Sequence, residues 1–185
     1  MKNVLLIAIT LMLGLTSFTQ ESFSEYDGNK LSVVVKPGTS QGKVYLELDK
    51  ELGLVLNAKQ RSKFLAFVKE TYKKSCAWDS VAKANSITEM DSKYFGKLSL
   101  PGFFYYGAWK FGTTRLKLIF IIEKGESRSY LYGTKIMASD NQFMKSESIM
   151  VPLDEEFVSY ISKSLTDEVI DNFITSKNKV DSLFD

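Results

Sequence analysis

The side chains that could do covalent chemistry are few. Ser80 and Lys83 stand three residues apart, one helical turn, where a lysine amine could take the proton of a serine attacking an acyl group. Cys76 is the single thiol, and Lys73 and Lys74 beside it would favour the thiolate if it were exposed. Gly38-Thr39-Ser40-Gln41-Gly42-Lys43 has the composition of a phosphate-cradling loop. Histidine is absent from all 185 residues. That removes Ser-His-Asp and Cys-His pairs, imidazole zinc sites and the one side chain that titrates unperturbed near neutrality.

Spacing narrows these candidates. The glycine loop has three residues between its glycines where a phosphate loop needs four, and Val44 follows Lys43 where a magnesium-binding Ser or Thr is required. It reads as a turn. Ser80-Val81-Ala82-Lys83 and Ser139-Asp140-Asn141 resemble the first two elements of the penicillin-binding and class A β-lactamase signature. In that family the first Ser is the acylated nucleophile. The third element, Lys-x-Gly, does not occur after Asn141, the chain is shorter than that family's domain, and strands are predicted where the family has helices. Ser80 and Lys83 therefore read as a solvated helix end. Cys76 falls on the predicted apolar stripe of its helix and reads as a small buried hydrophobe.

The densest unusual stretch is Phe103-Phe104-Tyr105-Tyr106-Gly107-Ala108-Trp109-Lys110-Phe111. Alternation puts Phe103, Tyr105, Trp109 and Phe111 on one strand face and Phe104, Tyr106 and Lys110 on the other. Tyr130 and Tyr132 on the next strand but one are expected to lie opposite. Rings beside a glycine can form a platform or pocket for a sugar, peptide or lipid; the same rings also suit a core. Tyr105, Trp109, Phe111, Tyr130 and Tyr132 are the candidate ligand-binding residues. No catalytic residue, metal ligand or cofactor is assigned.

The elements that would position them follow from periodicity. Leu31, Val33 and Val35 alternate as one strand; Val44, Leu46 and Leu48 form a second, joined through residues 37–42 as a hairpin. Asn57 with Gln60 makes a capping box opening a long helix, whose stripe is Phe64, Leu65, Val68, Tyr72 and Cys76 and which extends toward Ala84. A meander follows, with strands over 94–111, 114–124 and 127–138 and tight turns at Gly112-Thr113 and Gly125-Glu126. Pro101-Gly102 is expected to bend or bulge the first strand. A short strand over 148–151 precedes a helix capped by Asp154 and another capped by Thr166, the latter with Val169, Ile170, Phe173 and Ile174 on its apolar face.

This order predicts an α+β fold: an antiparallel sheet of five to six strands, a long helix inserted between the hairpin and the meander, and two C-terminal helices packed on the sheet. Residues 1–19 read as a cleavable secretory signal, with Lys2 ahead of an uncharged run from Val4 and with Ser17 and Thr19 before the cut. The run is about 22 Å of helix, short for a bilayer of ~30 Å. Residues 20–30 read as a flexible entry and 31–185 as one globular domain. Net charge is +2, too weak for a nucleic-acid protein. Residues 57–86 hold seven Lys/Arg against two Asp/Glu, and residues 153–185 hold eight Asp/Glu against three Lys, so the two helical regions could lie side by side.

Two functional expectations result. One is an exported, periplasmic or secreted, non-enzymatic domain that binds a small molecule, glycan or protein partner, with no cofactor and no membrane span after signal cleavage. The other is a histidine-free hydrolase or transferase using carboxylates or the Ser/Lys pair.

Overall fold

The computed structural model describes residues 21–26, 29–35 and 42–181. The predicted signal segment and most of the predicted 37–42 turn lie outside them. The elements run β1 (Glu21–Tyr26), β2 (Asn29–Val35), β3 (Gly42–Asp49), β4 (Leu52–Leu56), α1 (Ala58–Ala84), β5 (Met90–Tyr105), β6 (Trp109–Glu123), β7 (Glu126–Gly133), β8 (Met137–Ala138), β9 (Ile149–Pro152), α2 (Glu155–Ser164) and α3 (Asp167–Asp181). The fold is α+β, with one antiparallel sheet, the long helix between strands and two C-terminal helices. Strand order is β1-β2-β3-β4-β5-β6-β7-β9, and β8 pairs with β6.

The sheet is wider than the five to six strands expected, because two strands escape the alternation rule. Glu21–Tyr26, inside the segment expected to be a flexible entry, pairs antiparallel with β2; its two aromatic residues, Phe23 and Tyr26, stand three apart and break the period of two. Leu52–Leu56 is buried at all five positions. Such a run lacks a polar face, as strands covered on both sides do.

The first turn of the meander is also displaced. The chain reverses at Tyr106-Gly107-Ala108, pairing Tyr105 with Trp109 and Phe103 with Phe111, not at Gly112-Thr113. Gly107 has φ +67, which a side chain would strain. Gly112 pairs instead with Gly102, and Pro101-Gly102 is in regular register; the irregularities fall at Met90/Lys93 and Phe95/Leu98. Packing explains the glycines: a Cβ at Gly102 would lie 2.5 Å from Ile136 Cδ1, and one at Gly112 would lie 2.0 Å from the Met137 carbonyl oxygen. The second turn is a two-residue connection at Lys124 and Gly125, both with positive φ, one residue before the predicted Gly125-Glu126; Glu126 pairs with Glu123.

Helix α1 opens with the capping box: Asn57 Oδ1 accepts from the Gln60 amide at 2.9 Å, and Gln60 Oε1 accepts from the Asn57 amide at 2.8 Å. Its buried face is Arg61, Phe64, Phe67, Val68, Thr71, Ser75 and Ala82. Fully burying Phe64 or Val68 contributes roughly 1.5–3 kcal/mol each. The face is turned from the predicted stripe. Leu65 and Tyr72 are only half-buried and Cys76 is exposed, which corrects its reading as core. Small hydroxyls let the helix approach the sheet. Thr71 Oγ1 donates to its own helix's carbonyls, and the Ser75 and Ser129 hydroxyls bond each other.

The main core joins this face to Leu46, Leu54, Leu116, Leu118, Leu131 and Ile149, and to Phe157, Ile161, Ile170 and Ile174 of the last two helices. The sheet curls toward its helix-bearing side far enough to bring β9 near β3. Its other face is therefore the outer, convex one. The two oppositely charged regions meet directly at Arg61, buried, which bonds Asp167 at the start of α3.

Candidate functional site

Strand β6 shows how the site is positioned. Thr114, Leu116, Leu118, Phe120 and Ile122 are buried on the helix side, while Trp109, Phe111, Thr113 and Arg115 are exposed on the other. Lys117, Ile119 and Ile121 continue that outer row and are half-buried. Because directly paired residues share a face, Phe103 and Tyr105 of β5 join Phe111 and Trp109.

These rings form one cluster. The centroids of Tyr105 and Trp109 are 5.3 Å apart, those of Phe103 and Trp109 5.6 Å, and those of Tyr45 and Phe103 5.4 Å, all edge to face. Phe103 is the foundation, 1% exposed beneath its neighbours, while Tyr105, Trp109 and Phe111 remain 45, 47 and 45% exposed. Burial raises the Tyr45 phenol above its ordinary value. Phe104 and Lys110 lie on the opposite face as expected; Phe104 joins the main core, and Lys110 Nζ pairs with Asp140 at 2.7 Å. Tyr106 is in the turn and exposed.

Tyr130 and Tyr132 occupy the same outer face but a different place. They pair with Ile119 and Lys117. Six residues of β6 separate Phe111 from Lys117, about 20 Å at ~3.4 Å per residue. The five candidate residues thus form two clusters on one face. The second centres on Lys117, whose Nζ lies 3.8 Å from the Tyr94 ring centroid and 5.0 Å from that of Tyr132. Met150, exposed, pairs with Tyr132 from β9. Tyr45, Tyr94, Arg115 and Lys117 were not singled out in the sequence. The alternation of β6 from Trp109 to Lys117 carries the signal for the last two.

The Ser/Lys pair is differently disposed. Ser80 Oγ donates to the Cys76 carbonyl at 2.9 Å, and Lys83 Nζ is ion-paired with Asp79 at 2.7 Å. Lys83 and Ser127 bond the Asp79 carboxyl and hold it below its usual range. Ser139 Oγ donates to the Phe111 carbonyl, and the Lys110 ammonium lowers the Asp140 carboxyl. Each group is engaged in a structural bond. Among the described residues no three His, Cys, Asp or Glu side chains are grouped to hold a metal, and no helix is long and apolar enough to cross a membrane.

Comparison with known proteins finds no match among family models, curated proteins or solved structures.

Proposed function

We propose that this chain is an exported, non-enzymatic binding domain of the cell envelope whose helix-free sheet face takes a ligand or partner at the β5–β6 hairpin. The observation that carries the reading is the exposure of Tyr105, Trp109 and Phe111 together on one face, above a buried Phe103. Rings whose job is packing gain by being covered; three half-exposed rings on a rigid hairpin form a preorganised contact surface with little entropy left to lose on binding. The apolar run after Lys2 supports export. The engagement of Ser80, Lys83 and Asp140 in structural bonds favours binding over Ser/Lys or carboxylate catalysis.

The test is Trp fluorescence. Trp78 and Trp109 are the only tryptophans, so a Trp78→Phe variant isolates Trp109. Titration with neutral and acidic saccharides, peptides and lipid vesicles is expected to give a saturable change with one class. Trp109 emission that ignores all of them while the protein remains folded overturns the reading.

A further inference from the structure

The outer row of β6 runs Trp109, Phe111, Thr113, Arg115, Lys117: two exposed rings, a hydroxyl, then two cations. Eight residue steps span it, about 27 Å at ~3.4 Å per step, longer than a small molecule needs. Lys97, exposed, lies in the irregular stretch between Phe95 and Leu98, which pair with Leu118 and Leu116 on either side of Lys117, and Ser99 pairs with Arg115. Among the described residues no carboxylate pairs with Lys97, Arg115 or Lys117. Adjacent like charges on a sheet destabilise it. Beyond the charged row stand the second set of rings, Tyr94 and Tyr132, flanking the Lys117 ammonium.

Resting on the reading of this face as the binding face, we propose that its ligand is an acidic polysaccharide laid along β6, its rings against Trp109 and Phe111 and its carboxylates against Arg115, Lys117 and Lys97. Ring chemistry and the modest net charge together select this class. Arg115 and Lys117 are two residues apart, about 7 Å along the strand. A nucleic-acid strand calls for a far more basic protein than a chain of net charge +2. An acidic polysaccharide offers carboxylates to these cations and flat ring faces to the exposed aromatics. The convex face accepts an extended chain from the side without a pocket.

The experiment titrates the Trp78→Phe protein with polygalacturonate oligomers, with the same oligomers fully methyl-esterified, and with a single-stranded thymidine oligonucleotide. The expected result is saturable binding of the acid form, at least about tenfold weaker for the ester, and weakening as salt rises from about 0.05 to about 0.5 M. Arg115→Gln with Lys117→Gln is expected to lower affinity for the acid form about tenfold or more, and Lys97→Gln to lower it less. Thermal melting of each variant checks folding, and Lys97→Gln provides the readout if the double variant fails to fold. Equal, salt-independent binding of acid and ester overturns the charge assignment while leaving the binding face intact. Tighter binding of the oligonucleotide, or no binding of any of the three, overturns the polysaccharide assignment; only silence across the wider ligand panel also removes the face.

Discussion

Tyr105 and Trp109 face each other directly across the end of the β5–β6 hairpin, ring centroids 5.3 Å apart and each nearly half exposed, and both lean on a Phe103 that is almost wholly buried. The outer pair rests on a structural base. Truncation should separate the two roles. Phe103→Ala is expected to cost about 3–5 kcal/mol in urea unfolding. Trp109→Ala should cost about 1–2 kcal/mol, since it forfeits only partial burial and two edge-to-face contacts.

The glycine pair Gly102 and Gly112 exists for Ile136, which lies fully buried over it. Gly102→Ala is expected to destabilise by about 1–3 kcal/mol through overpacking. Much of that should return in Gly102→Ala with Ile136→Val, because the colliding atom is the Ile136 Cδ1. A double-mutant cycle measures the coupling, expected at about 1 kcal/mol, and independent additive losses would contradict the contact.

Arg61 is 4% exposed and its partner Asp167 carries most of its surface in water, 67% exposed at the side chain. The buried guanidinium is the costly half of this pair. Asp167→Asn is expected to lose about 1–2 kcal/mol by leaving that charge unpaired, less than the ~3–5 kcal/mol of a wholly buried pair. Arg61→Met, which removes the charge itself, should cost less than Asp167→Asn or nothing. Thermal melts of the two variants give the order.

Asp79 supplies a pH dependence with a definite sign. Lys83 and Ser127 lower its carboxyl in the fold, so the unfolded chain binds protons more readily than the native one at mildly acid pH. Stability from this group is present above the ordinary carboxylate range and is lost as pH falls through the lowered folded value. Asp79→Asn should therefore be less stable at neutral pH, by no more than about 0.5 kcal/mol for a partly solvated pair. The difference should vanish in strong acid. A gap that widens on acidification would contradict the assignment.

Cys76 lies on the exposed side of α1. A thiol reagent is expected to modify it in the native protein, without denaturant. Labelling that awaits unfolding would return it to the core.

The elements legible in the sequence were those set by local chemistry. Asn57 and Gln60 bond each other's backbone within one turn, and Asp154 Oδ1 accepts from the Phe157 amide at 2.7 Å, so capping could be read from residue types alone. The α+β class and the alternation of β6 were equally accessible. What was hidden depends on contacts distant in sequence. Leu52–Leu56 shows no alternation because both faces are covered, and Gly112 looks like a turn residue until Ile136 is seen above it. The helix stripe followed the apolar Cys76, whereas the sheet selects the smaller hydroxyl of Ser75, bonded to Ser129 fifty-four residues away. For the site, the shared face of Tyr105, Trp109 and Phe111 was predictable, since a three-residue turn preserves the parity of a continuous strand. The separation of Tyr130 and Tyr132 from them was not, because it depends on where the chain reverses.

The most direct test of the binding face is an amide chemical-shift map of the isotopically labelled protein as polygalacturonate oligomers are added. The account predicts that perturbations concentrate on residues 103–117 with a second group near Tyr94 and Tyr132, while amides of α1 from Phe64 to Ala82 stay fixed. Perturbations centred on the helices, or spread evenly over the surface, would contradict it.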